Sequence, residues 1–250
     1  MMSIVYSLPA QVYEMNYGFL KKDTQGEKSI FDEWDFLKVY DDVLLQSKHY
    51  ETILAIHYNA LKNCSHAIDL ACGSGNLISL LINTGQHVTG IDISAKSLSY
   101  LQEKIENNSR LTLIKDDVTS MPNLKGNSYD GVSSMIAAHL LDNFENHLKE
   151  AYRILCPGGV FVLTARDASG HQEKIVEIVR NSLDDKALFH TMQKSFEILC
   201  KKLLLTANNR SHSLLPAGSV AEKLQRTGFK NITFIENNSK GVMYTLTAIK

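Results

Sequence analysis

The 250-residue sequence has few of the features that mark specialised classes of protein. It contains only 4 cysteines and 4 prolines, and no apolar run approaches the roughly 18 residues that predict a membrane span. Charge of neither sign dominates, because 26 Lys and Arg face 27 Asp and Glu, so the basic surplus typical of nucleic-acid binding is missing. The first lysine is Lys21, which leaves the start without the basic residues of a secretory signal. We therefore expect a cytoplasmic protein that binds neither membranes nor nucleic acid.

The cysteines do not form a recognisable metal or redox motif. Cys64, Cys72, Cys156 and Cys200 include no C-x-x-C pair and have no zinc-like spacing to histidine. We expect reduced thiols and no metal site. The 44% hydrophobic and 21% charged fractions are those of an ordinary globular protein.

Short apolar runs alternate with amphipathic segments from about residue 66 onward. Strands are predicted at 66–71, 87–92, 111–114, 128–136, 160–164, 232–235 and 242–249. Helices are predicted at 76–84, 94–107, 142–155 and 219–228, the last two from capping boxes at Asp142 and Ser219. Alternating strands and helices indicate a parallel sheet, but the short final loop allows only a hairpin. The sequence thus predicts a doubly wound α/β fold with a seven-stranded, mostly parallel sheet and an antiparallel last strand.

Two helical segments lie outside this alternation. Residues 1–62 are aromatic-rich and predict an N-terminal helical lid on a main domain of residues 63–250. Residues 167–215 predict a helical cap inserted into that domain. Within the insertion, apolar residues recur at helical spacing: Phe189, Met192, Phe196, Leu199 and Leu203. These side chains would form either the core of the cap or a substrate pocket wall.

A glycine-containing turn follows the first predicted strand. Gly73 and Gly75 allow the backbone to approach a ligand closely at a helix N-terminus. A dinucleotide-binding turn would have a third small residue at position 78, where this sequence has Ile78. The pattern therefore disfavours NAD without excluding it.

Acidic residues follow the next two strands. Asp92 ends the second strand, where a carboxylate can bind ribose hydroxyls and would repel the 2′-phosphate of NADP. Asp116 and Asp117 follow the third strand, and a carboxylate beside the N–H of Val118 suits an adenine edge. Each acid alone could be a solvated loop residue. Together with the glycine turn they predict a ligand site at the carboxyl edge of the sheet.

These segments resemble the motifs of class I S-adenosylmethionine-dependent methyltransferases, and the branch that includes ubiquinone- and menaquinone-type enzymes is the most similar. The resemblance extends from Ala67 to Ile249 and includes the reversed last strand. The matching motifs are residues 69–75, 90–94, 117–122, 129–132, 138–142 and 153–159, with weaker similarity at 31–32 and 39–41.

The resemblance implies S-adenosylmethionine as cofactor and S-adenosylhomocysteine as product. The implied cofactor-binding residues are Tyr40, Asp69, Ala71, Gly73, Gly75, Asp92, Ile93, Asp117, Val118 and Met135. Lys115-Asp116 replaces the small residue that often precedes the adenine-binding acid, so Asp116 and Asp117 remain alternatives. The spacing to Pro122 favours Asp117.

Methyl transfer relies mainly on alignment of the two reactants, so a conspicuous catalytic residue is not required. His139, after the fourth strand, is the candidate general base, since imidazole titrates near neutrality; the alternative is that it packs or caps the next helix. Arg166 and His171 are candidate substrate residues where the fifth strand ends, and Met192 is a candidate in the cap. Arg166 could bind a substrate carboxylate or phosphate, or pair with Asp167 at the surface.

The expected function is methyl transfer to an O, N or C nucleophile of a small molecule. Two alternatives stay open: a reaction that uses the cofactor without transferring its methyl group, and a non-catalytic adaptor on the same fold. Fold-level resemblance does not identify the substrate.

Overall fold

The computed structural model describes residues 34–106, 108–168, 173–181, 183, 192–201, 214–237 and 241–250. The helices are α1 (Trp34–Leu44), α2 (Lys48–Leu61), α3 (Asn76–Asn83), α4 (Ala95–Ile105), α5 (Phe144–Ile154), α6 (Glu173–Asn181), α7 (192–201) and α8 (Ala217–Thr227). The strands are β1 (His66–Leu70), β2 (His87–Asp92), β3 (Leu111–Lys115), β4 (Tyr129–Met135), β5 (Leu155–Arg166), β6 (Lys230–Ile235) and β7 (Met243–Ile249). A 3₁₀ turn covers Ala138–Leu140.

The strands form one seven-stranded sheet in the order β3-β2-β1-β4-β5-β7-β6. The pairs from β3 to β5 are parallel, while β7 runs antiparallel to both β5 and β6. The predicted fold class, including the reversed last strand, is confirmed. The strand order changes direction between β1 and β4, and ligands of open α/β sheets bind at the carboxyl ends beside such a point.

Helices cover both faces of the sheet, and successive strand residues supply the two cores. On β1, Ala67 packs in the core beneath α2, α3 and α4, whereas its neighbour Ile68 packs in the core beneath α5 and α8. On β5, Val162 belongs to the first core and Phe161 to the second. This alternation follows from the two-residue period of a strand, and burial on both faces explains the continuous apolar runs in the sequence.

The N-terminal helices and the insertion share the first core. Phe36 of α1 and Tyr50 of α2 are buried in the same cluster as Val176 of α6 and Phe196 of α7. Met192 is half-buried against this cluster, and Leu199 is fully buried within it. The predicted apolar face of the cap therefore contributes Phe196 and Leu199 to a core. Phe189 and Leu203 lie outside the described residues.

Several predicted boundaries are wrong, and three of them have an identifiable cause. Helix α5 is capped by Asn143, whose Oδ1 accepts a hydrogen bond from the N–H of Asn146 at 3.0 Å, and not by Asp142. Helix α8 begins at Ala217, before the predicted Ser219, because Oδ2 of Asp167 caps the Ala217 N–H at 3.1 Å. Strand β5 starts at Leu155 because that residue pairs with Tyr129 across a register shift. Among the described residues, no helix is both long enough and apolar enough to span a membrane.

Candidate cofactor site

The turn after β1 adopts a backbone that explains its glycines. Gly73 has a φ of 53° and Gly75 a φ of 72°, and Ala71 between them and the strand also has a positive φ, of 57°. Gly75 is the N-cap of α3, and a Cβ added to it would collide with Leu101 of α4. A Cβ added to Gly73 would meet no atom within 4 Å. Gly75 is thus required by packing, whereas Gly73 faces open space suited to a ligand.

Asp92 holds this turn against the end of β2. Its Oδ2 accepts a hydrogen bond from the Gly73 N–H at 2.9 Å, and its Oδ1 accepts one from the Ser94 N–H at 2.9 Å. The side chain is 8% exposed. The adjacent Ile93 is 62% exposed, an unusual position for a large apolar residue. An acid beside an exposed apolar surface is suited to a ribose and an adenine ring.

Asp69 presents a buried acceptor at the end of β1. The residue is 2% exposed, and within the described part of the chain its Oδ1 has no hydrogen-bond partner. Burial raises the pKa of this carboxyl to about 7, a hydrogen bond from Ser133 opposes that rise, and the charge of Asp92 adds to it. A buried oxygen without a donor is costly, and the ammonium group of a bound amino-acid moiety would satisfy it.

The loop after β3 brings a backbone amide to the same edge. Oδ1 of Asp117 accepts hydrogen bonds from the N–H and the hydroxyl of Thr119, both at 2.8 Å, which orders the loop. Asp116 uses its Oδ1 to accept from the Asp117 N–H at 2.9 Å. Val118 is 4% exposed. The alternatives Asp116 and Asp117 both remain at the rim, and Asp117 is the one that directly shapes the Val118 loop.

A buried histidine supports this loop from below. Nδ1 of His147 donates to the Val118 carbonyl at 3.2 Å, so Nε2 accepts from the Ser134 hydroxyl at 3.0 Å. Burial lowers the pKa of His147 to about 4, although the hydrogen bond to Val118 and the charge of Asp117 oppose the shift. The imidazole is therefore neutral at pH 7. The sequence contains no local signal for this role of His147, since its partners are set by the fold.

Helix α1 is fastened to the glycine turn by the Asp41 carboxylate. Oδ1 of Asp41 accepts from the Ser74 hydroxyl at 2.6 Å and from the Asn76 side chain at 2.9 Å. Its Oδ2 accepts from Lys104 Nζ at 2.7 Å and from the Tyr100 hydroxyl at 3.2 Å. Asp41 thus ties the N-terminal segment to both α3 and α4. We call these five residues the Asp41 clamp.

Tyr40 of α1 and Arg166 of β5 lie near each other in the fold. Tyr40 packs edge-on against Tyr50, with ring centroids 6.3 Å apart. Arg166, at the end of β5, is 2% exposed, which contradicts the alternative of a surface pair with Asp167. Burial lowers the pKa of the Arg166 guanidinium to about 10, and Tyr40 opposes this shift. Burial also raises the pKa of Tyr40, as does the charge of Asp41, while Arg166 lowers it.

The remaining predicted residues lie at the same edge or outside the described chain. Met135 is half-buried at the end of β4, where Ile136 has a φ of 59°. His139 is 5% exposed in the following 3₁₀ turn. His171 lies outside the described residues. The described residues contain no cluster of three or more His, Cys, Asp or Glu side chains that could hold a metal ion.

Comparison with known proteins places this site in a family. A family model described as a methyltransferase domain matches residues 68–163. A demethylmenaquinone methyltransferase of Staphylococcus haemolyticus is 33% identical over 101 residues, 39% of this chain and 42% of that protein. A sterol 24-C-methyltransferase of Gibberella zeae is 26% identical over 160 residues, 62% of this chain and 39% of that protein. Residues 68–163 therefore match a methyltransferase domain, in agreement with the motifs that the sequence shares with class I S-adenosylmethionine-dependent methyltransferases.

Solved structures agree on the fold of this chain. A phosphoethanolamine N-methyltransferase from Haemonchus contortus, in complex with S-adenosylmethionine, superposes with a TM-score of 0.65 at 16% identity over 90% of this chain and 61% of that one. An S-adenosylmethionine-dependent methyltransferase from Aquifex aeolicus superposes with a TM-score of 0.57 at 15% identity, over 87% of this chain and 98% of that one. The chain spans about 40 to 60% of the length of the curated relatives that it matches. 

The described residues fit S-adenosylmethionine. The unpartnered Oδ1 of Asp69 suits the ammonium group of its methionine part, and the open space at Gly73 suits the close approach of that part to the backbone. Asp92 and Ile93 suit the ribose and the adenine ring. Two features remain for which the sequence held no local signal: the support of Val118 by His147, and the Asp41 clamp.

Proposed function

We propose that this methyltransferase transfers a methyl group from S-adenosylmethionine to a nucleophilic atom of a small molecule. The observation that carries the proposal is the buried, unpartnered oxygen of Asp69 beside the open backbone of Gly73, on the same edge as Asp92 and Val118. These groups match a ligand with an ammonium group, a ribose and an adenine.

Binding is the task of residues on β1 to β3. Asp69 would hold the methionine end, Ala71, Gly73 and Gly75 would form the floor, and Asp92 would accept from the ribose hydroxyls. Ile93 would cover the adenine, while Asp117 and Val118 would contact its edge, and Met135 and Tyr40 would approach the methionine end. When bound, the cofactor supplies an activated methyl group on a sulfonium. Holding the acceptor in line with that group can contribute roughly 7–11 kcal/mol to catalysis.

The substrate side would be formed by α1, α2 and the insertion. Arg166 is buried next to Tyr40 and would bind an anionic or strongly polar group of the acceptor. Met192 would contribute to the apolar wall, and His171 and His139 are further candidates, with His139 as general base. The relatives act on demethylmenaquinone and on a sterol, both small molecules, which supports the proposed substrate class.

The first experiment measures binding of S-adenosylmethionine and S-adenosylhomocysteine by calorimetry. We expect saturable one-to-one binding of both, and failure to bind either would favour the adaptor alternative. The Gly73→Ala variant is the matched control, because its added methyl group projects into open space and should obstruct the ligand, while the φ of 53° limits the loss of stability to about 1 kcal/mol.

The second experiment identifies the reaction. Methyl-labelled cofactor is incubated with the protein and a small-molecule extract of the source organism. Labelled product with stoichiometric S-adenosylhomocysteine is the expected result. Consumption of the cofactor without labelled acceptor would instead support a reaction that does not transfer the methyl group.

A further inference from the structure

A line of buried hydrogen bonds crosses the sheet and ends at the cofactor site. It begins at Asn237, whose Nδ2 donates to Oγ1 of Thr245 at 2.9 Å. Oγ1 of Thr245 lies 2.7 Å from Oγ1 of Thr164, which lies 2.8 Å from Nε2 of His57. Nδ1 of His57 lies 3.0 Å from Oγ of Ser133. Ser133 is the register partner of Asp69 on the neighbouring strand β1, and it holds down the pKa of the Asp69 carboxyl.

All the residues in this line of hydrogen bonds are buried. His57, Ser133 and Thr164 are 0% exposed, Thr245 is 1% exposed and Asn237 is 3% exposed. Four strands and α2 contribute to it, so the geometry is fixed by the sheet. Burying so many polar groups is favourable only if each is satisfied. Apolar side chains could fill the same space without the free-energy cost of burying polar groups.

All the hydrogen bonds in this line have the same donor-to-acceptor direction. A carboxylate can only accept, so the Ser133 hydroxyl beside Asp69 acts as the donor toward it, and Ser133 then accepts from the Nδ1–H of His57. Nε2 of His57 then accepts from the Thr164 hydroxyl, which accepts from Thr245. At the far end the Asn237 amide N–H donates to Thr245. Thr245 can accept from Asn237 and donate to Thr164, so the Asn237 end is compatible with the polarity set at the Asp69 end, in which every donor points toward Asp69.

We propose that His57 is a positioning residue for the cofactor, which acts through Ser133 to keep the Asp69 carboxylate ionised and oriented toward the ligand. This rests on the proposed function, because Asp69 is where the chain meets the cofactor. Hydrogen bonds arranged head to tail polarise one another, so donors as remote as Thr164 strengthen the final bond to the carboxylate. His57 itself does not reach the ligand.

The charges around Asp69 explain why such support is needed. Asp92 on β2 repels a second negative charge, and the nearby Tyr50 of α2 and Cys72 of the turn both have pKa values raised by burial, so they are neutral. Burial lowers the pKa of His57 to about 3, so the imidazole is neutral and supplies a dipole, not a charge. With burial raising the pKa of Asp69 to about 7, the donor chain opposes protonation.

The test measures cofactor affinity by calorimetry as a function of pH in three variants. Thr164→Val breaks the chain beyond His57, Ser133→Ala removes the last donor, and Thr245→Val breaks it at the far end. The matched control is Thr89→Val, the same substitution at a buried β2 position outside the chain. In the unmodified protein, affinity should fall as pH drops through about 7, because a proton then competes for Asp69.

We expect the pH midpoint to rise by about one unit in Ser133→Ala and by about half a unit in Thr164→Val, with a smaller rise in Thr245→Val. At pH about 6.5 the Ser133→Ala affinity should be several-fold weaker, and it should recover at pH about 9. Thr89→Val should leave the midpoint unchanged. Affinity that is lowered equally at all pH values, with unchanged midpoints, would overturn the proposal and leave the chain a purely structural role.

A second readout separates this proposal from the proposed function. The carboxyl carbon shift of Asp69, followed by NMR titration of the ligand-free protein, reports its pKa directly. If the unmodified protein binds no cofactor, the proposed function fails. If it binds cofactor but Thr164→Val leaves the Asp69 titration unchanged, only the role of His57 fails. Should Ser133→Ala not fold, Thr164→Val and Thr245→Val still decide the matter.

Discussion

The backbone N–H of Gly73 donates to Oδ2 of Asp92 at 2.9 Å. This bond joins the turn after β1 to the end of β2, so the two segments expected to hold the methionine part and the ribose are held in register before any ligand binds. The same carboxylate accepts from the Ser94 N–H at the start of α4. Asp92 therefore organises the turn at which the ribose is expected to bind.

Asp92→Ala should weaken S-adenosylmethionine binding at least about tenfold, because each hydrogen bond to a charged group is worth about 1.5–3 kcal/mol. It should also lower the free energy of unfolding by about 1–3 kcal/mol, since Gly73 and Ser94 lose their acceptor. Calorimetry and urea unfolding measure the two effects. Asp42→Ala, at an exposed acid in α1, is the control. Unchanged affinity in Asp92→Ala would refute the assignment.

The two glycines of the turn should respond differently to alanine. Gly75→Ala places a methyl group against Leu101, with Cγ at 2.9 Å, and forces a φ of 72° on alanine. We expect a loss of about 2–4 kcal/mol in unfolding free energy. Gly73→Ala meets no neighbour, so its cost should stay near 1 kcal/mol while cofactor affinity falls.

The double variant Gly75→Ala with Leu101→Ala provides the check on this interpretation. Removing the Leu101 methyl groups creates room for the new Cβ, so the double variant should be more stable than the sum of the single changes predicts. Strict additivity would show that backbone strain, and not the collision, dominates at Gly75.

The site features that sequence analysis predicted are those set by local chemistry. Gly73, Gly75 and Asp92 were predictable because a turn needs positive φ and because the ends of neighbouring parallel strands meet at one edge. The Asp142 cap failed by one residue, since the adjacent Asn143 is equally suited to capping.

Contacts between distant parts of the chain were not predictable. Lys104 and Asp41 are separated by 63 positions, and His57 and Thr164 by 107. Nothing in the local pattern distinguishes His57 from any other helical histidine. Arg166 likewise reads as a surface residue at a strand end, yet the fold leaves it 2% exposed and brings it close enough to Tyr40 for the two to influence each other's pKa.

The Asp41 clamp should determine whether α1 stays docked. Lys104→Met removes the ion pair whose side chains are 25% and 7% exposed, and it leaves Asp41 with neutral donors only. We expect a loss of about 1–2 kcal/mol in unfolding free energy, with solvent screening keeping the effect below that of a fully buried pair. Cleavage by protease at the exposed residues Leu45 and Gln46 should accelerate. Lys38→Met, at an exposed position of α1, should change neither.

His147 should contribute stability that depends on pH. Its pKa is lowered to about 4 in the folded protein from an ordinary 6.5, so the unfolded chain binds a proton that the folded protein does not. The contribution is therefore present above pH 6.5 and is lost as pH falls toward 4. The slope is about 1.4 kcal/mol per pH unit. His147→Gln, which cannot titrate, should consequently be most destabilising at pH 7 and progressively less so in acid. A pH-independent difference in unfolding free energy between the two proteins would contradict this.

His139 is the candidate general base for methyl transfer. The imidazole is 5% exposed in the 3₁₀ turn that follows β4, close in sequence to Met135. Because it is buried, it can deprotonate a methyl acceptor only if that acceptor is bound in a closed site. As a general base, His139 would contribute about 10²–10⁴-fold. His139→Asn should then reduce turnover of the methyl acceptor at least about a hundredfold, while the affinity for S-adenosylhomocysteine stays unchanged. The rate of the unmodified enzyme should rise with pH through the imidazole titration and level off above it.

His66→Asn, at an exposed histidine at the opposite end of β1, is the control and should leave the rate and its pH profile intact. A small loss of turnover in His139→Asn with a flat pH profile would instead assign His139 to packing, and catalysis to alignment alone.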